Sequence, residues 1–230
     1  MSFTCRVLET AGTVAVAAAE IVSAKIEEAI TDRGECVLAV TGGSTPVETY
    51  RRLTCLDVDW TRICLVQTDE RMLVDSGVRS SAGIEEIFGL TTNGERGNRP
   101  NWFPIPDGPA EQIAALYDKQ LSVVRPVGVP DIAILGVGID GHTASIFPRD
   151  LDAQRPERAI ATTCDGQARV SLSVPYLRAV PTRLILAMGP AKAAAVAAIR
   201  SAATPLSPAA VILGDDGYLL VDEPAAGTRS

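Results

Sequence analysis

The longest regular pattern in the chain lies between Ala11 and Ile30. Ala15, Ala18, Ile21, Val22, Ile26 and Ala29 recur at three- and four-residue intervals, with charged residues filling much of the remainder. That spacing predicts an amphipathic helix covering a sheet. Short apolar runs of strand length follow at Cys36 to Val40, Ile63 to Val66, Asp131 to Leu135 and Arg183 to Met188. Helical patterns separate them. One begins at Pro46 and continues through Tyr50 and Leu53; others cover Ala82 to Phe88, Ala110 to Val124, and Lys192 through Ile199. Pro46 suits a first helical turn, where its missing N–H removes nothing the helix would pair. Ala159 to Thr163 and Arg169 to Val174 read as strands of a second sheet edge. The last two apolar runs, Ala210 to Leu213 and Tyr218 to Val221, flank Gly214-Asp215-Asp216-Gly217 and predict a hairpin-like reversal. Thr91 to Asn101 reads as an exposed loop, Pro148 to Pro156 as loosely organised, and Pro224 to Ser230 as a fraying tail.

This alternation predicts an α/β fold: a three-layer, mostly parallel sheet with helices on both faces. A chain of 230 residues suffices for one sizeable core without disulfides or metal. One domain over 1–230 is therefore expected, with a small subsidiary lobe around 149–181 as an option. Aromatics are 4% of a chain that is 47% apolar, so Ala, Val, Leu and Ile must build the core. A net charge of -7 disfavours nucleic acid and anionic membrane as partners. It leaves room for a phosphorylated ligand in a local basic pocket. The five cysteines are scattered, with no Cys-x-x-Cys pair, and read as free thiols of a cytoplasmic protein; a zinc site is the weaker alternative. No segment reads as a signal peptide or a membrane span.

Four polar clusters carry the candidate chemistry. Gly42-Gly43-Ser44-Thr45-Pro46 follows a strand and opens a helix. It is either an anion cradle of backbone amides and hydroxyls, or a tight turn with Ser44 or Thr45 as cap. It has neither the dinucleotide fingerprint nor the Walker lysine pattern. Asp69-Glu70-Arg71 ends another strand; Arg71 can pair with Asp69 or Glu70 to hold the loop, or all three can be solvated. The third cluster, Gly136-Val137-Gly138-Ile139-Asp140-Gly141-His142-Thr143, holds the chain's one histidine. A lone histidine is most often structural. After a strand and a glycine-dense turn it is also placed where α/β proteins bind ligands. His142 can exchange a proton near neutral pH, with Asp140 orienting it. Ser44 and Ser145 lie outside the Gly-x-Ser-x-Gly elbow, which favours direct water attack over a covalent serine route. Arg79, Arg169 and Lys192 form a looser group, each either a surface residue or part of a phosphate pocket.

The ordered set resembles the 6-phosphogluconolactonase family over nearly the whole chain. Gly136 to Pro148 is the strongest signature. Asp69-Glu70-Arg71, Arg169-Val170-Ser171-Leu172-Ser173-Val174-Pro175 and Gly189-Pro190-Ala191-Lys192-Ala193 follow in the family's order. The chain departs from the pattern at Val74, where a proline is expected, and at Ser80-Ser81, where Ser-Asn is. The resemblance implies the NagB/RpiA/CoA transferase-like fold, shared with glucosamine-6-phosphate deaminases and ribose-5-phosphate isomerases. It implies hydrolysis of 6-phospho-D-glucono-1,5-lactone in the pentose phosphate pathway, with His142 as base and Asp140, Asp69 and Arg71 ordering the catalytic site. Gly42, Gly43, Ser44, Thr45, Arg79, Arg169 and Lys192 become the implied substrate-binding residues. No metal or other cofactor is implied, and a monomer or weak homodimer is expected. The rivals are a sugar-phosphate deaminase or isomerase, and a noncatalytic phosphosugar-binding module.

Overall fold

A computed structural model describes residues 3–72, 79–90, 97–125, 127–151, 155–201 and 206–227. The first half of the chain runs β1 (Thr4–Leu8), α1 (Ala11–Arg33), β2 (Cys36–Val40), α2 (Val47–Thr54), β3 (Ile63–Gln67), β4 (Asp69–Arg71), α3 (Ser80–Ile87), β5 (Asn101–Phe103), α4 (Ala110–Val124) and β6 (Ile132–Gly136). The second half runs β7 (Ala159–Cys164), β8 (Gln167–Leu172), α5 (Val174–Arg178), β9 (Thr182–Ala187), α6 (Ala193–Ser201), α7 (Pro208–Leu213), β10 (Tyr218–Asp222) and α8 (Glu223–Ala226).

Seven strands form one sheet in the order β1-β10-β9-β6-β2-β3-β5, and every pairing in it is parallel. Both faces are covered, so its central strands are apolar throughout. β2 shows why. Cys36, Leu38 and Val40 point to one side, into a core completed by Val22 and Ile26 of α1, Tyr50 and Leu53 of α2 and Ile84 of α3. Val37 and Ala39 point to the other, toward Tyr117 of α4, Val196 and Ile199 of α6 and Ile212 of α7. A second sheet, β4-β8-β7, is antiparallel and packs on this second face through Val170 and Leu172. Among the described residues, no helix is long and apolar enough to cross a membrane.

Several local expectations change. Ala210 to Leu213 is not a strand but lies in α7, so the predicted hairpin does not form. Ser207 caps that helix by accepting from the Ala210 amide at 3.3 Å, and Pro208 occupies its first turn. Four apolar residues cannot distinguish buried helix from strand by period; the Ser-Pro start decides. Val174–Arg178 likewise turns helical behind the Ser173 cap and Pro175 rather than extending β8. β1 lacks an apolar signal because it is an exposed edge strand. Glu223–Ala226 is held as a short helix by the Asp222 carboxylate, which accepts from the Ala225 amide at 2.9 Å, so the tail is ordered past Pro224. The expected exposed loop from Thr91 falls outside the described residues up to 96, and Asn101 already belongs to β5.

Candidate active site

From β2 the chain moves outward to β3 and β5, then returns to β6 and proceeds to β9 and β10 on the other side. The order therefore reverses between neighbouring β2 and β6, and the crevice beyond their C-terminal ends is where an open α/β sheet binds ligands. A cavity of about 370 Å³ lies there. Its wall includes Thr41, Gly42, Gly43 and Thr45 after β2, Asp69 and Arg71 of β4, Gly136 to Ile139 and His142 after β6, Arg169 of β8, and Lys192. Strand ends thus bring together residues more than a hundred positions apart.

The turn after β2 passes tightly beneath α3. A Cβ on Gly42 would come within 2.4 Å of the Ser80 Cβ, so no larger residue fits. Gly43 has φ 86°, the left-handed region that glycine enters without strain. Ser44 is exposed and outside the cavity wall, and neither it nor Thr45 caps α2, whose first residue follows Pro46 without a side-chain cap. The Tyr50 hydroxyl secures the strand end instead, donating to the Thr41 carbonyl at 2.9 Å and accepting from its amide at 3.0 Å.

Asp69 and Glu70 alternate in direction along β4 and do different work. Asp69 faces the cavity and accepts hydroxyls from Ser145 at 2.7 Å, Thr68 at 2.9 Å and Thr41 at 3.3 Å. Burial pushes its carboxyl above the ordinary carboxylate range, and the Ser145 and Thr68 hydroxyls offset this only in part. Glu70 is fully buried. It accepts from Gln67 Nε2 at 2.8 Å and from the amides of Arg71, Ser80 and Ser81 at 2.9, 3.0 and 2.9 Å. It therefore joins β4 to the start of α3. The expected pairing of Arg71 with Asp69 or Glu70 is absent among the described residues; Glu70 meets Arg79 at 3.7 Å instead. Arg79 also donates to the Ile105 carbonyl at 2.5 Å and pairs with Asp107 at 3.0 Å, which places it outside the cavity wall. Of the family departures, Ser81 donates its amide to Glu70, whereas Val74 lies outside the described residues.

The histidine turn is built around its glycines. Gly138 donates to the His142 carbonyl at 2.8 Å and Gly141 to the Gly138 carbonyl at 3.1 Å. The His142 ring folds back over this backbone, with Nδ1 2.5 Å from the Asp140 carboxylate. A Cβ on Gly138 would stand 2.1 Å from that nitrogen. Desolvation opposes ionisation of Asp140. The His142 amide, ring and charge outweigh it and hold the carboxyl below its usual range. An ionised carboxylate can only accept, so Nδ1 donates to it, and in the neutral ring the free lone pair is then on Nε2. On its other side the ring meets Phe147, centroid to centroid at 4.8 Å. The Arg169 guanidinium lies 5.6 Å from the centroid of the same Phe147. One buried aromatic ring therefore touches both the imidazole and the Arg169 cation.

Arg71 and Arg169 sit directly opposite each other in the β4-β8 pairing, and Lys192 enters from the turn after β9. Among the described residues none of the three has an ion-pair partner, and the buried Arg169 Nε makes no hydrogen bond. Three cations without an ion-pair partner in one wall, with Asp69 as the carboxylate beside them, leave room for an anion to pair with. Gly42 and Gly43 add backbone amides that donate to no other described residue. Among the described residues, no group of three or more His, Cys, Asp or Glu is placed to hold a metal ion. The hidden contributors are Glu70, Ser145, Phe147 and Ser80. Each stood in a motif the sequence marks, yet its role depends on a partner distant in the chain.

Residues 9–221 match the family described as glucosamine-6-phosphate isomerases/6-phosphogluconolactonase. A 6-phosphogluconolactonase of Neisseria meningitidis serogroup A is 32% identical over 168 residues, which cover 71% of this chain and 67% of that one. The crystal structure of 6-phosphogluconolactonase from Thermotoga maritima superposes with a TM-score of 0.81 at 26% identity, covering 96% of this chain and all 100% of that one. A monomeric glucosamine-6-phosphate deaminase superposes equally well, TM-score 0.81 at 20% identity over 99% of this chain and 100% of that one. The last likeness concerns fold alone.

Proposed function

Because the chain belongs to the family of glucosamine-6-phosphate isomerases and 6-phosphogluconolactonases, we propose that its cavity hydrolyses 6-phospho-D-glucono-1,5-lactone to 6-phospho-D-gluconate, a step of the pentose phosphate pathway. One observation carries this reading: the chain's one histidine, oriented by Asp140, shares a cavity with Arg71, Arg169 and Lys192, none of which has an ion-pair partner among the described residues. The cations and the Gly42-Gly43 amides hold the phosphate, fixing the lactone far from its reacting carbon. Arg79, tied to Glu70 and Asp107, orders the loop rather than touching the ligand.

His142 Nε2 takes a proton from a water as its oxygen bonds to C1, and the carbonyl electrons move onto the exocyclic oxygen. Asp140 accepts from Nδ1–H and stabilises the imidazolium that results. When the oxyanion collapses, the C1–ring oxygen bond breaks and the imidazolium returns its proton to the departing oxygen. The new carboxylic acid then ionises to water. Ser145 is not a competing nucleophile: it is fully buried, with its hydroxyl on Asp69.

Freshly prepared lactone and glucosamine 6-phosphate, given separately to the purified protein, test the reaction class. The lactone is expected to open faster than its spontaneous rate, with no ammonia from the amino sugar. Ammonia release without lactone acceleration would assign the deaminase chemistry instead. A second outcome follows from the close approach at Gly138. In Gly138→Ala the new methyl displaces the His142–Asp140 pair, and kcat is expected to fall about 100-fold, the scale of an ångström misplacement. Wild-type turnover in that variant would mean the pair's position is not used.

A further inference from the structure

We infer that Ile139 is an apolar lip that recognises the sugar ring of the ligand, separately from the cations that recognise its phosphate. This rests on the reading of the cavity as a phosphosugar site. Three observations converge on the residue. Ile139 belongs to the cavity wall and immediately precedes the Asp140 that orients the base. Its side chain is 68% exposed, and among the described residues it is the one large exposed hydrophobic in that wall. The wall is otherwise built mainly from glycines, hydroxyls and charged groups, with Val137 buried.

Local structure gives no reason for isoleucine here. The residue sits inside the turn closed by the bond from Gly141 to the Gly138 carbonyl, and β-branched residues favour strands over turns. It contributes nothing to either hydrophobic core. A ligand in the cavity supplies what the fold does not, because the C–H surface of a pyranose ring covers an aliphatic side chain while its hydroxyls reach the polar wall. The same contact removes water from beside the half-exposed His142–Asp140 pair, leaving fewer waters to compete with the one being activated.

The test compares two stable ligands by titration calorimetry: inorganic phosphate, and 1,5-anhydroglucitol 6-phosphate, a ring analogue that cannot hydrolyse. Ile139→Ser is expected to weaken the ring analogue about tenfold, the scale of a few methylenes lost from a contact. Phosphate affinity and melting temperature should change little, since the residue is 68% exposed and belongs to neither core. Ile139→Leu should restore most of the loss. Equal affinity of wild type and Ile139→Ser for the ring analogue would overturn the inference. So would an equal loss for both ligands, which would place the effect on the anion site. Because neither ligand reacts, a failure of wild type to hydrolyse the lactone would refute the proposed reaction without deciding the lip; the affinity comparison decides it.

Discussion

His142→Ala is expected to lower kcat for lactone opening by about 10²–10⁴-fold, the range that a positioned acid–base group contributes. KM should change little, because Arg71, Arg169, Lys192 and the Gly42-Gly43 amides are untouched. The melting temperature should also hold, because the side chain is 34% exposed and its bond to Asp140 lies at the surface. What is lost is specific: with no Nε2 lone pair, water must attack unassisted and the ring oxygen must leave unprotonated. Steady-state kinetics beside thermal melts separate this outcome from simple misfolding. A variant that keeps wild-type kcat would remove His142 from the reaction.

Glu70→Ala is expected to act on the scaffold rather than on the chemistry. The carboxylate is fully enclosed and accepts from Gln67 and three backbone amides, with the Arg79 guanidinium 3.7 Å away. Truncation leaves those donors buried without acceptors, and Arg79 loses one of its counterions. Breaking a buried charged cluster from one side costs about 3–5 kcal/mol. In a chain of this size that lowers the melting temperature on the order of 10 °C. Glu70→Gln keeps the shape but turns one acceptor into a donor facing the amides, so it should recover only part of the loss. A change below about 1 kcal/mol would mean that water replaces the carboxylate and that β4 does not depend on it.

The contrast between these two residues shows how far the sequence could be read. The His142–Asp140 contact was legible because it is local: strand, glycine turn, carboxylate and imidazole lie within a dozen positions. The parallel sheet was legible for a similar reason, since apolar runs with helical patterns between them leave few alternatives. Glu70 was not. Between Asp69 and Arg71 it reads as a partner for Arg71 or as one more solvated charge, and its burial follows from α3 packing over β4. Arg79 shows the opposite case: it reads as a phosphate ligand, and the structure holds it on the Ile105 carbonyl and Asp107, outside the cavity wall. Phe147 stands within the Gly136 to Pro148 signature and is buried, yet its position against both His142 and Arg169 depends on where β8 is brought in the fold. Ala210 to Leu213 failed for want of length, and the Ser207-Pro208 start carried the information that apolarity did not.

In the proposed reaction this cavity opens the lactone by water attack assisted by His142. Early-time NMR on freshly generated 6-phosphogluconolactone tests it most directly, following lactone and 6-phosphogluconate signals with wild type, with His142→Ala and with buffer alone. Conversion well above the buffer rate with wild type, falling to near that rate with His142→Ala, is the predicted result. Identical progress in all three samples would rule that reaction out.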